Sequence, residues 1–300
     1  MVGAIIGDIA GSRFEFDNHL SKDFDLFAED CRPTDDSVLT VAVGRAIWES
    51  DGKWEELEGN ASLFLRQFGK RYPDAGYGER FRKWMYNDRA PAYHSFGNGA
   101  AMRVSAAGFA ARSQEEARLL AHKVTCVTHD HPEGLKGAES VAVAIFLARQ
   151  RWEKDRIRAF IEDNYYKIGF TPEDLRGRYS FDESCQNTVP QAFCAFFAGR
   201  DFEDVVRTAV SIGGDSDTIA AIAGSVAEAY YGVPEPLRRA VYTKLNTPQY
   251  MLLYRWLLAF EVYFQGWRGA DAGERAQIAA FVRGHIREYG AKNIDRLLVP

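Results

Sequence analysis

Ser211-Ile212-Gly213-Gly214-Asp215-Ser216-Asp217-Thr218 is the stretch around which the rest of the chain is organised. It reads as a glycine-rich turn running straight into a helix. Gly213 and Gly214 permit backbone dihedrals closed to other residues. Two carboxylates follow at i and i+2, with the Ser216 and Thr218 hydroxyls beside them. Behind them, Ile219-Ala220-Ala221-Ile222-Ala223-Gly224 is apolar nearly all round and small enough for close helix packing. Two acids at the mouth of such a helix lie near the core, where a carboxylate without a compensating charge is costly. The plainer reading is a capped helix, because Asp and Ser are favoured N-caps and acids suit the positive end of the helix dipole. The rest of the chain decides between the two.

Outward from this stretch, apolar residues recur at helical spacing and few runs alternate, so the sequence predicts an all-α fold. Helices are expected over Val2–Ser12, Asp36–Glu49, Glu56–Lys70, Gly78–Asn87, Ala100–Ala111, Glu115–Val127, Pro132–Arg149, Asp155–Asn164 and Val189–Ala198. Further helices are expected over Phe202–Ile212, Asp217–Tyr231, Glu235–Thr243, Gln249–Gly266 and Glu274–Tyr289. No repeat, low-complexity linker or composition break divides the chain, so residues 1–300 are read as one domain.

The totals exclude several classes. A net charge of -5 gives no electrostatic reason to expect a nucleic-acid partner. No basic block of the kind an anionic membrane attracts is present. Met251–Phe264 is apolar but short, and it carries Arg255 and Glu261, so it reads as a core helix and not a membrane span. Cys31, Cys126, Cys185 and Cys194 show neither CxxC spacing nor a disulfide framework. The first apolar run lacks a basic lead and ends at Asp8, so no signal peptide is expected and the cytoplasm is the expected setting.

Five further motifs carry chemistry. Gly7-Asp8-Ile9-Ala10-Gly11-Ser12-Arg13-Phe14-Glu15 offers a narrow helix face for close packing, with Asp8 and Glu15 on one face if the helix continues that far. Pro33-Thr34-Asp35-Asp36-Ser37 opens a helix in which Thr34 can cap, while two adjacent acids repel each other. Both acids can reach one cation there, with the Thr34 hydroxyl as a third oxygen, and an all-oxygen set suits magnesium, manganese or calcium better than zinc. Ser95-Phe96-Gly97-Asn98-Gly99-Ala100-Ala101-Met102-Arg103 reads as a glycine turn entering a helix, with free N–H groups for an anion such as phosphate. In Thr128-His129-Asp130-His131-Pro132-Glu133-Gly134, Pro132 is a natural first helical residue, capped by Asp130 or His131. Its His129-Asp130 pair also resembles that of HD-type metal phosphohydrolases, but His19, His94, His122 and His285 lack ligand-like spacing. Ser184-Cys185-Gln186-Asn187-Thr188-Val189-Pro190 reads as a polar structural loop leading into a helix, polar enough for a substrate rim.

Each motif has a structural explanation alone. Their order, GDxxGSxxE, TDD, SxGNGxxMR, THxHPEGxxGA and GGDSDT, resembles the ADP-ribosylglycohydrolase family over about Gly3 to Gly232. The resemblance implies an all-α orthogonal helical domain with two central divalent metals, Mg2+ or Mn2+. It implies Thr34, Asp35, Asp36, Asp215, Asp217 and Thr218 as metal ligands, and Glu15 as the acid beside the metals. Glu15 and Asp36 are the catalytic candidates. Ser95, Phe96, Gly97, Asn98, Gly99 and His129 would meet an ADP-ribose, with Phe96 free to stack on it. The expected partner is an ADP-ribosylated protein or a small ADP-ribose conjugate. The charges agree with this: Glu15, Asp35, Asp36, Asp215 and Asp217 bring five negative charges, which two divalent ions make tolerable. Two such ions can grip neighbouring sugar hydroxyls. Glu15 would then serve as acid/base while the anomeric carbon develops oxocarbenium character, and a water or a ring-opening step would complete hydrolysis.

Overall fold

The computed structural model describes residues 1–50 and 52–262. The described residues form fourteen α-helices and no strand. They are α1 (Val2–Gly11), α2 (Asp35–Ser50), α3 (Leu57–Arg71), α4 (Glu79–Tyr86), α5 (Ser105–Ala110), α6 (Gln114–Thr125), α7 (Pro132–Arg149), α8 (Lys154–Asn164), α9 (Pro172–Leu175), α10 (Cys185–Ala198), α11 (Phe202–Ile212), α12 (Ser216–Tyr231), α13 (Glu235–Leu245) and α14 (Met251–Val262). The all-α expectation holds. The helix expected over Glu274–Tyr289, and the end of the one expected over Gln249–Gly266, lie outside the described residues.

Helices α1 and α12 form the axis of the molecule. Every residue of α1 is buried, and so is every residue of α12 from Ser216 to Ala227. A helix that is apolar all round has to be enclosed, and here each encloses the other. Their seam is built from backbone. A Cβ at Gly7 would lie 2.0 Å from the Ala220 carbonyl oxygen, and one at Gly11 would lie 2.4 Å from Asp217 Cα. The small-residue seam expected of the first motif therefore exists, and it has a second effect. It brings the last turn of α1, with Asp8, against the first turn of α12, with Asp217. Around this axis, α12 also packs on α11, α10, α7, α5 and α2. Helix α7 supports the other side through α5, α6, α8 and α10.

Four local differences from the sequence expectations have physical causes. Helix α1 stops at Gly11, so Glu15 lies in the following turn and not on the helix face. The helix expected from Ala100 begins at Ser105, because Asn98–Ala100 forms a tight 3-10 turn first. Helix α10 begins at Cys185, four residues before the expected Val189, so the stretch read as a polar loop is mostly helical. Pro190 sits inside this helix as its sixth residue, where its missing N–H leaves the Gln186 carbonyl without its usual intrahelical donor. Short α9 was not expected, although Thr171 and Asp174 form a reciprocal capping box that is legible in the sequence.

Candidate active site

Three helix ends meet at one point: the end of α1 and the starts of α2 and α12. Asp8 joins the first two. It is fully buried, and its Oδ2 accepts from Thr34 N and Ser37 N, each at 2.9 Å, and from Ser37 Oγ. Its Oδ1 accepts from Thr34 Oγ1 at 2.7 Å. A carboxylate from another helix thus joins Thr34 in capping α2: Thr34 Oγ1 accepts from Asp36 N at 3.3 Å, the role the sequence assigned to it, while Asp8 takes the Ser37 N–H. The Asp8 carboxyl is pushed up to about 6 by burial, against the pull of those hydrogen bonds.

Asp215 occupies the N-cap position of α12, yet its side chain makes no capping hydrogen bond. Asp215 Oδ2 instead accepts from Asn98 Nδ2 at 2.6 Å, and Asp217 Oδ1 takes the Thr218 N–H at 2.9 Å. Thr218 Oγ1 reaches Asp36 Oδ2 at 3.2 Å, which ties the starts of α12 and α2 together. Asp36 Oδ1 is buried with no hydrogen-bond partner.

Glu15 arrives on a turn, and Asn18 fixes that turn to the organising stretch. Asn18 Nδ2 donates to the carbonyls of Phe14 at 2.7 Å and Gly214 at 2.9 Å, while its Oδ1 accepts from Gly214 N at 2.8 Å. Gly214 must be glycine for two reasons. Its φ is +70°, and a Cβ would lie 2.2 Å from Tyr179 Cε1. The result places one carboxylate oxygen each from Glu15, Asp215 and Asp217 within 4.8 Å of one another. Burial, then repulsion from Asp215, Asp8 and Glu183, lifts Glu15 to about 7. Burial likewise raises Asp35, Asp36, Asp215 and Asp217. None of these acids is ion-paired with a lysine or arginine among the described residues.

The acids line one end of a cleft of about 340 Å³. Its other side carries Tyr93, Ser95, the Gly97–Gly99 turn, Arg103 and His129. The cleft thus gathers every sequence-predicted site residue except Thr34 and Phe96. Thr34 turns towards Asp8. Phe96 is 45% exposed and lines an adjoining recess of about 470 Å³ with Arg80, Glu183 and Asn187. The free N–H groups expected of the glycine turn are largely used inside the protein: Gly97 N donates to Ser95 Oγ at 3.1 Å and Asn98 N to the Glu183 carbonyl at 2.6 Å. A Cβ at Gly99 would come no closer than 3.4 Å to any protein atom, so the fold itself tolerates a side chain there. Glycine at this place keeps the cleft open.

Asn98 is positioned by Thr188 Oγ1, which accepts from its Nδ2 at 3.1 Å and donates to the Asp182 carbonyl at 3.0 Å. The polar stretch before Pro190 thereby supports the site from behind. Of the capping candidates for α7, His131 is the one used: its Nδ1 accepts from Glu133 N. Asp130 turns away from His129 and accepts from His94 N at 2.7 Å, contrary to a paired His-Asp ligand. Sequence reasoning gave no role to Asp8, Asn18 or Arg103, although Asp8 and Arg103 stand inside quoted motifs.

A model of the ADP-ribosylglycohydrolase family matches residues 1–261, and the chain belongs to that family. It is similar to an uncharacterised protein of Archaeoglobus fulgidus, 35% identical over 154 residues, which is 46% of this chain and 50% of that protein. It is also similar to the ADP-ribosylhydrolase ARH3 of Mus musculus, 25% identical over 311 aligned positions, covering 78% of this chain and 83% of the mouse protein. Among solved structures, a chain of an ADP-ribosylglycohydrolase-related protein complex superposes with a TM-score of 0.59 at 22% identity, covering 85% of this chain and 96% of that one. The match reaches beyond Gly232, where the recognisable motifs end, through α13 and most of α14.

Proposed function

We propose that the chain is a metal-dependent ADP-ribosyl hydrolase that cleaves the bond between the distal ribose of ADP-ribose and its acceptor. One observation carries this reading: a single cleft sets unpaired, mostly buried carboxyls opposite a buried arginine and a histidine. The acidic donors are all oxygen, as Mg2+ or Mn2+ prefers. The orphaned Asp36 Oδ1 fits a cation ligand, since buried acceptors are otherwise satisfied. Asp35, Asp36, Asp215, Asp217 and Thr218, with the remaining lone pair of Thr34, would hold two divalent ions. Such ions, when bound, neutralise the carboxylates and fix neighbouring ribose hydroxyls.

The remaining work falls to side chains. Glu15, the acid of the cluster left outside the proposed ligand set, is the carboxyl placed to pass a proton at the scissile bond. Asp36 stands with it as the second catalytic candidate. The open Gly97–Gly99 turn leaves room for the diphosphate, with Arg103 and His129 beside it. Ser95 and Asn98 border the same space, and exposed Phe96 offers a face for the adenine in the outer recess. Glu183 lines both the cleft and that recess, and its acidity supports a cationic arginine acceptor slightly over serine.

The test is release of free ADP-ribose, with magnesium present, from mono-ADP-ribosylated arginine and serine peptides and from O-acetyl-ADP-ribose. Release from the arginine peptide is expected. Turnover of the serine peptide alone overturns the arginine preference. Release from none, with metal bound, replaces the hydrolase by a silent ADP-ribose-binding protein.

A further inference from the structure

His129 is a buried polar group on the cleft's non-acidic side. It is 5% exposed, the Tyr93 ring packs against it edge-to-face at 5.7 Å between ring centroids, and a Cβ at Gly134 would stand 3.1 Å from its own Cβ. Its two nitrogens meet different surroundings. Nδ1 is 2.8 Å from Thr128 Oγ1 and 3.4 Å from Arg103 Nη2. Nε2 points to the glycine turn, 3.4 Å from where a Gly99 Cβ would stand and 3.6 Å from the Gly97 equivalent.

Arg103 is 1% exposed, and its Nη2 also donates to Thr128 Oγ1 at 2.6 Å. A guanidinium can only donate. A proton on Nδ1 would therefore face the Nη2 hydrogens directly. With Nδ1 unprotonated, the network closes: Arg103 donates to Thr128 Oγ1, the Thr128 hydroxyl donates to the single Nδ1 lone pair at 2.8 Å, and Arg103 Nη2 stands at 3.4 Å where its charge favours that lone pair. Of the other acceptors near that hydroxyl, the Thr125 carbonyl is farther away at 3.4 Å, and the Tyr93 phenol oxygen can accept from other donors as well.

We infer that Arg103 is a positioning residue that fixes His129 as a neutral ring protonated on Nε2, making it a dedicated hydrogen-bond donor to the ligand oxygen lying along the Gly97–Gly99 turn. Burial, with Arg103 and then Arg80 adding to it, keeps the ring from taking a second proton. His129 then binds and orients without acting as an acid, which leaves proton transfer to the carboxyl side. Arg103 Nε and Nη1, buried with no partner, are free for the same anionic ligand. The inference extends the ADP-ribosyl reading, because that reading supplies the oxygen to be bound. The tautomer itself does not depend on it.

The experiment is long-range 1H–15N correlation on ring-labelled histidine at neutral pH, with the His129 signals assigned by their loss in His129→Gln. The wild-type ring is expected to show a protonated Nε2 and an unprotonated Nδ1. Arg103→Met, similar in length but uncharged, is expected to mix the two tautomers. Arg103→Lys, which keeps a charged donor, is expected to retain more of the wild-type pattern, and Arg103→Leu serves as the uncharged variant if the Met one does not fold. His129→Ala should weaken ADP-ribose binding about tenfold, and His129→Gln, whose amide N–H can replace Nε2–H, should recover most of it. A wild-type ring protonated on Nδ1, or a folded, uncharged Arg103 variant with an unchanged ring, overturns the inference. The expected tautomer shift in a protein that binds no ADP-ribose supports the positioning role and counts against the ADP-ribosyl reading alone.

Discussion

The two ends of the cleft respond to burial in opposite ways. At the acidic end, desolvation raises Asp8, Glu15, Asp35, Asp36, Asp215 and Asp217, because a buried carboxylate resists ionisation. At the other end, desolvation lowers Arg103 to about 10 and holds His129 well below its ordinary value. Compensation between the ends is partial: the Asp35 charge raises Arg103 against its burial without forming an ion pair with it. The acids have no cation among the described residues, and Arg103 keeps two unpaired N–H-bearing nitrogens. A folded protein that leaves both imbalances in one cleft is suited to a ligand with both characters: metal-bound sugar hydroxyls at one end and an anionic diphosphate at the other.

The comparison breaks most severely at Glu15. Glu15→Gln keeps shape and hydrogen bonding but removes the proton, so kcat should fall roughly 10²–10⁴-fold. ADP-ribose affinity, measured by calorimetry, should stay within a few-fold of wild type. Full turnover in this variant excludes the acid/base role.

The scaffold beneath the acids should be nearly as sensitive. Gly7→Val places its branched side chain into a space where even a Cβ is 2.0 Å from the Ala220 carbonyl oxygen. We expect a loss of about 3 kcal/mol or more, read as a lowered urea midpoint, since overpacked cores lose roughly 1–3 kcal/mol even when the neighbours can yield. An unchanged midpoint means the α1–α12 seam is not the tight contact described.

The acidic end should respond to metal and pH together. Mg2+ or Mn2+ at about 100 times its Kd should stabilise the folded protein by roughly 2.7 kcal/mol, and Asp35→Ala or Asp217→Ala should remove most of the resulting rise in Tm. Without metal, the sign of the pH dependence follows from the raised carboxyls. Asp8 moves from 3.8 to about 6 and Glu15 from 4.5 to about 7, so the folded state holds more protons than the unfolded one between those values. Their contribution is complete below about pH 4 and is lost as pH rises through 6 to 7. Saturating metal should flatten or reverse that slope, because it favours the deprotonated oxygens. Metal-free melting curves whose stability rises over this window would contradict the account.

The smallest expected effect tests positioning. Asn18→Ala removes the two-way hydrogen bond to Gly214 that fixes the Glu15 turn. A kcat loss of about tenfold is expected, equivalent to about 1.4 kcal/mol, with ADP-ribose affinity nearly unchanged. A loss confined to affinity would place Asn18 in ligand binding.

Local sequence determined much of this protein. Helical periodicity gave the all-α fold, because the burial pattern of a helix is written every three to four residues. The acid doublets at Thr34–Asp36 and Asp215–Thr218, the glycine turn and His129 were visible because their chemistry is carried by residue type at short spacing. Only the tertiary structure decided how they meet. Asp8 looked like an incidental acid on a packing face until the α1–α12 seam placed it under the start of α2. Asn18 has no motif, and its role exists only through a contact 196 residues away. Thr34 reads as a cap and accepts the Asp36 N–H, but a carboxylate from a different helix takes the Ser37 N–H beside it. Arg103 and Thr128, distant in sequence, set the surroundings of one imidazole nitrogen. Residue type and short spacing specify what a segment can do, whereas the partners that satisfy or leave unsatisfied a buried polar group come from segments the chain brings together only on folding.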